Sequence, residues 1–266
     1  MKISSSFTKT LAMAGFIGVA AATTQAQSTI SWSYDAWGFT QATGNNGGQP
    51  VPNTTAGVVP AINWNDSWNE NGTAWPNPAV TVNNLWDSAG NNSGASLTYS
   101  AADIWRLQTP NPAQDADGTY NKDLLNGYLD SGSAGGHSTV TLSAIPYSSY
   151  DIIVYFSGDT TGRGATLNVG STTYDFTAMG TAAIAGGNAL FTQATDTTGS
   201  SPTAANYAIF TGLTGSSQTL DFIASVAGAG GISGFQIVAV PEPSSMALAV
   251  VGGFGVLLMN RRFKKS

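Results

Sequence analysis

The feature that most constrains the fold is the run of strand signals that dominates from residue 139 onward. Tyr150-Asp151-Ile152-Ile153-Val154-Tyr155-Phe156 is β-branched and aromatic, with Ile152, Val154 and Phe156 on one face of an expected strand. The stretch ATLNVGSTTYDF then reads as a hairpin, with 165–169 and 172–176 flanking Gly170-Ser171. Glycine at the first position of a two-residue loop suits a type II′ turn, whose first φ is positive. Further strands are expected over 30–37, 97–105, 139–145, 206–210, 218–226 and 231–240. No long amphipathic helix is visible between 27 and 240, and only NKDLLNGYLD (121–130) has room for a helical turn or two. Short strands joined by Gly-, Ser- and Thr-rich turns imply an all-β chain, a β-sandwich of the jelly-roll kind. Seven Trp, nine Tyr and seven Phe between 27 and 240 supply the bulk for its core, and there is no cysteine to staple it.

The two ends read differently. Lys2 and Lys9 precede an apolar run over 11–22, and Thr24-Gln25-Ala26 offers the small residues a signal peptidase reads. Residues 1–26 are therefore expected to be a secretory signal helix, and 27–240 an extracellular β-sandwich. At the other end, the fourteen apolar residues of 246–259 would span about 21 Å as a helix. A hydrocarbon core is about 30 Å thick, so this C-terminal transmembrane helix makes a transient stop rather than a permanent anchor. Arg261, Arg262, Lys264 and Lys265 follow it and favour the cytoplasmic side.

Pro241-Glu242-Pro243, the short apolar helix and the basic tip occur in the order of the PEP-CTERM sorting signal, which residues 241–266 resemble. The resemblance implies an exported bacterial protein whose tail is recognised and cut by a membrane enzyme of the exosortase type. Pro241, Glu242 and Pro243 would be the recognition residues, and Arg261 and Arg262 the cytoplasmic stop. The expected location is the cell surface or the extracellular space, after a transient stay at the inner membrane. AGVVPAINWND, LLNGYLDSG, and YDIIVYFSGD with GRGATLNVGSTTYDF resemble an extracellular domain that accompanies this tail in planctomycete- and verrucomicrobia-type bacteria. That second resemblance implies a jelly roll similar to galactose-binding-like domains and brings no catalytic residues with it.

Charge and residue inventory narrow the chemistry. Between 27 and 240 only Arg106, Lys122 and Arg163 face fourteen acidic residues. Such a surface repels phosphate backbones, so nucleic acid is not an expected partner. One histidine, His137, and no cysteine exclude a conventional zinc site. His137 lies in Gly-Gly-His-Ser, is expected on a surface loop, and has no Gly-x-Ser-x-Gly elbow to serve. Glu70 is the only glutamate in this region, so a glycosidase would have to use an aspartate pair that no spacing singles out. No phosphate-cradling glycine loop is present. A non-catalytic surface or matrix protein is the expectation; an extracellular hydrolase and a purely structural matrix subunit are the alternatives.

Two clusters are candidate binding sites. NWNDSWNENGTAW sets Trp64, Trp68 and Trp75 among Asn63, Asn65 and Asp66. Sugar rings stack an apolar C–H face on indole while amides and carboxylates orient the hydroxyls, so extracellular polysaccharide is the candidate ligand. The other reading is that these indoles fill the sandwich or plug one end of it. DADGTYNKD offers oxygens from Asp115, Asp117, Asn121 and Asp123 to a structural calcium, though without EF-hand spacing; a solvated turn is the alternative.

Overall fold

The computed structural model describes residues 28–34, 55–66, 79–108 and 112–241. They form two seven-stranded sheets. The first runs, across its width, β12 (Tyr207–Leu213), β8 (Tyr150–Ser157), β14 (Gly231–Ala239), β1 (Thr29–Ser33) and β2 (Asn65–Asp66). Beside β14 in the same sheet lies β6 (Gly127–Asp130), and beyond it β5 (Asp103–Arg106). The second sheet runs β11 (Thr203–Ala205), β10 (Thr172–Ala178), β9 (Gly164–Val169), β13 (Gln218–Ala224), β7 (His137–Ser143), β4 (Ser96–Ala101) and β3 (Val80–Val82). From β6 onward the chain repeatedly crosses between the sheets, so most neighbouring strands are distant in sequence.

Period-two patterning places the main core. Ile152, Val154 and Phe156 of β8, Phe235 and Ile237 of β14, Leu167 and Val169 of β9, and Leu220 and Phe222 of β13 all meet between the sheets. Phe156 stacks on Phe176 with ring centroids 3.9 Å apart, and Trp32 stacks on Phe235 at 5.6 Å. The hairpin forms as its sequence requires: Val169 pairs with Thr172, and Gly170 has φ +60°. The expected strand over 97–105 is instead two strands. It breaks at Ala102, so β4 belongs to the second sheet and β5 to the first. NKDLLNGYLD divides likewise, into helix α1 (Asn121–Asn126) and strand β6.

A second hydrophobic layer covers the outer face of the first sheet. Ile153 and Tyr155 of β8 and Val238 of β14 point outward, opposite to the main core. They are covered by Leu124 and Leu125 of α1, by Met179, Ala183 and Ile184 around a short 3-10 helix (Gly180–Ala183), and by Trp64. A buried polar network fastens this cover. Tyr155 Oη donates to Gln236 Oε1 at 2.6 Å and accepts from the Val58 N–H at 2.7 Å. Gln236 Nε2 donates in turn to the Val59 carbonyl at 2.8 Å. Gly57 lies directly over the Gln236 amide with φ +97°, where a Cβ would come within 2.5 Å of Oε1.

The expected signal helix and C-terminal transmembrane helix lie outside the described residues. Among those described, no helix is long and apolar enough to cross a membrane.

Phe235 is fully buried between the sheets, stacked on Trp32. Phe235→Ala is expected to cost about 3–5 kcal/mol, read as a lower urea midpoint at unchanged slope.

Candidate functional site

The sorting end is built by the last strand. Ala239 donates its N–H to the Ser28 carbonyl at 3.1 Å, and Val240 donates to the Ser149 carbonyl at 3.0 Å. Pro241 follows directly and is exposed. The chain thus leaves the sandwich within two residues of its last ladder bond, with the first residue of the expected Pro-Glu-Pro already free of the fold. Glu242, Pro243, Arg261 and Arg262 lie outside the described residues.

The tryptophan loop is only partly described, and what is described packs inward. Trp64 is 0% exposed, and its Nε1 donates to the Ala61 carbonyl at 3.0 Å. Its ring lies 6.2 Å from that of Tyr155. Asn65 is also buried, donating to the Ser31 and Trp86 carbonyls and accepting from the Trp86 N–H. Asn63, with φ +59°, donates to the Ser88 carbonyl. Asp66 is half-buried in β2 beside β1. This corrects the expectation of a stacking platform at Trp64: the outer face of the first sheet needs an apolar cover, and Trp64 is part of it. Trp68 and Trp75 lie outside the described residues.

The aspartate-rich loop is likewise directed at the protein. Asp115 is buried; its Oδ1 accepts from the Ala189 N–H and its Oδ2 from the Lys122 N–H at 3.0 Å. Asp117 Oδ1 accepts from both the N–H and the hydroxyl of Thr119. These bonds hold the Asp117 carboxyl below its ordinary range. Asn121 Oδ1 accepts from the Gly57 N–H, and Asp123 is buried in the first turn of α1. Among the described residues, no three His, Cys, Asp or Glu side chains converge as metal ligands would. The same residues that suggested calcium join the 115–123 loop to residues 57 and 189 through backbone amides.

His137 opens β7 rather than lying on a loop. It is half-exposed, with Nδ1 2.8 Å from Asp221 Oδ1. Around it, the outer face of the second sheet carries rows of small hydroxyls. Thr81 pairs with Thr98, Thr98 with Thr141, and Thr141 with Thr219 across four strands. A shallow depression where β13 begins, beside the turn that follows β9, is lined by Asn168, Gly170, Ser217, Gln218, Thr219 and Asp221. The aromatic side chains of this sheet face the core instead.

The pairing of β5 with β6 brings together residues that sequence reading did not select. Asp103 lies directly opposite Asp130, and Trp105 directly opposite Tyr128. Ile104 and Leu129 face the core, so by alternation the four others share the outer face. Trp105 is 51% exposed, whereas Trp32 and Trp64 are fully buried. Burial raises the Asp130 carboxyl above its ordinary range and nearby Asp159 adds to this, against the opposing effects of the Gly132 N–H and Arg163. Burial and the charge of Asp130 raise Asp103 in the same way, against the Ile104 N–H.

Residues 239–262 match the PEP-CTERM protein-sorting motif, so this end of the chain is similar to the tails of exosortase substrates. The motif indicates an exported protein, sorted at the membrane by an exosortase toward the cell surface. It begins at the last residue of β14, where the sandwich ends. No curated protein matches the chain.

Two outcomes follow from these geometries. Asp115→Ala removes an acceptor from two backbone N–H groups and is expected to cost about 1–3 kcal/mol in a thermal melt. The folded state holds the Asp130 proton more tightly than the unfolded state does, so ionising this carboxyl costs stability. That cost is present above the raised folded value and vanishes as pH falls through and below the ordinary carboxylate range. Asp130→Asn is therefore expected to gain about 0.2–1 kcal/mol near pH 7, a gain that disappears in melts below pH 4.

Proposed function

We propose that the chain is a non-catalytic exported protein of the cell surface or extracellular matrix whose β-sandwich binds polysaccharide. The observation that carries this reading is the junction at Ala239–Pro241, where the last strand of the two-layer sandwich ends and the sorting motif begins. Cutting there separates the tail without touching a strand. What the exosortase delivers is then a finished extracellular module. The strand order supports a jelly roll. Strands β6, β14, β8 and β12 form one four-stranded half, and β7, β13, β9 and β10 the other, the arrangement of two interlocked Greek keys. Domains of the galactose-binding-like kind are built on this plan, which favours carbohydrate as the ligand. The acidic surface directs the module away from nucleic acid.

A second reading, a hydrolase acting on extracellular polymer, draws on one observation. Asp103 and Asp130 are opposed on neighbouring strands, which puts their Cβ atoms about 5 Å apart. Two carboxyl groups that close, with raised proton affinity, are the minimum equipment for glycoside cleavage.

Intact mass of the protein recovered from its own host is the first test, and the tail beyond the Pro-Glu-Pro motif is expected to be missing. A retained tail would sink the sorting reading. The same material, incubated with a panel of polysaccharides, is expected to bind saturably and to release no reducing ends. Release that stops in Asp130→Asn would favour the hydrolase instead.

A further inference from the structure

We infer that the outer face of the β5–β6 ribbon is the sugar-binding site, with Trp105 as the stacking platform and Asp103 and Asp130 as hydroxyl acceptors. This rests on the polysaccharide reading above and assigns it to a definite place. Trp105 lies on the edge strand of the first sheet, half its surface in water. Among the described residues its indole N–H donates to no protein group and its ring stacks on no other. An aromatic left so exposed forgoes a large burial gain, and its flat face is suited to the C–H face of a pyranose.

The carboxylates make the second, independent observation. Like charges directly opposite each other across a ladder destabilise a sheet. The chain nevertheless sets Asp103 against Asp130, two residues along the ribbon from Trp105 and on the same face, about 7 Å away. Asp130 is held by the Gly132 N–H at 3.0 Å, so its position is fixed. Behind it, Arg163 is tied to Asp159 at 3.1 Å and to the Gly228 carbonyl at 2.8 Å, which limits the repulsion without neutralising the pair. A local rule broken without structural gain marks a functional position. A stacking ring beside two hydroxyl acceptors selects a neutral sugar, and the negative charge repels uronate-rich chains.

The site's place on the fold agrees with presentation to an external polymer. Gly231 of β14 pairs with Asp130, whereas Ala239 pairs with Tyr150 beside the tail exit. Eight residue steps of strand separate them, about 26 Å. The ribbon therefore lies at the pole opposite the sorting tail.

The test uses the full chain in mild detergent, titrated with soluble neutral glucans and galactans and, in a parallel arm, with alginate. Binding of a neutral glycan with a blue shift of tryptophan emission is expected, and no binding of alginate. Trp105→Ala should weaken that binding about tenfold or more, Trp105→Tyr should retain most of it, and both should melt close to the unmodified protein. Asp103→Asn should weaken binding while raising Tm. A neutral glycan bound equally well by Trp105→Ala would overturn this site and leave the polysaccharide reading standing. Binding of no glycan in either arm would overturn both, and preference for alginate would overturn the role given to the aspartates.

Discussion

Strand β14 is buried on both faces, and most of the architecture is a response to that. It pairs with β8 on one side and with β1 and β6 on the other, so its backbone is satisfied along nearly its whole length. Phe235 and Ile237 supply the core between the sheets, while Gln236 and Val238 face the opposite way. Where neighbours crowd the strand it is glycine: a Cβ at Gly231 would overlap the Leu129 carbonyl, and one at Gly234 would come within 2.5 Å of the Trp32 carbonyl. A sheet that is apolar on both faces cannot remain one wall of a simple sandwich. The helix α1, the 3-10 turn and the 55–66 segment form the cover it requires, and Gln236 supplies the polar point to which that cover is fastened.

This demand separates what sequence could show from what it could not. The strands of the hairpin, of β8 and of β14 were legible because alternation and turn chemistry act locally. Trp64 was not, because a tryptophan among asparagines looks the same whether its partner is a sugar or a sheet. The signal lay elsewhere: Ile153 and Tyr155 are as apolar as Ile152 and Val154, and a strand apolar at every position announces a second layer. Trp105 was hidden by the reverse effect. Continued alternation from Leu97, Tyr99 and Ala101 would have turned residues 103 and 105 inward. The break at Ala102 resets the parity, so Ile104 takes the core and Trp105 faces water. That break is set by long-range pairing of β5 with β6, which local patterning does not carry.

The acidic residues, too, act mainly as intramolecular acceptors. Asp115, Asp87 and Asp196 each accept two backbone N–H groups, and each organises an irregular segment outside the named strands. In a chain without cysteine this is how long connections are held: a carboxylate offers several acceptor sites and leaves few amides unsatisfied. For Asp196 these amide bonds depress the carboxyl, so its contribution is present at neutral pH and lost on acidification through its lowered value. Asp103 and Asp130 depart from this pattern: each accepts a single backbone N–H, and burial raises both carboxyls.

The ends of the described chain give that departure a direction. Ser28 and Ala239 are hydrogen-bonded neighbours, so the segment leading into β1 and the sorting tail leaving β14 share one pole of the sandwich. A protein held at the membrane by that tail would turn the same pole toward the bilayer. The loops around Asp130, Gly132 and Gly228 occupy the far end of the same strand, bound to each other through backbone bonds and to Arg163. The single rigid strand that organises the core therefore also fixes the separation between the sorting end and the ribbon that carries Trp105.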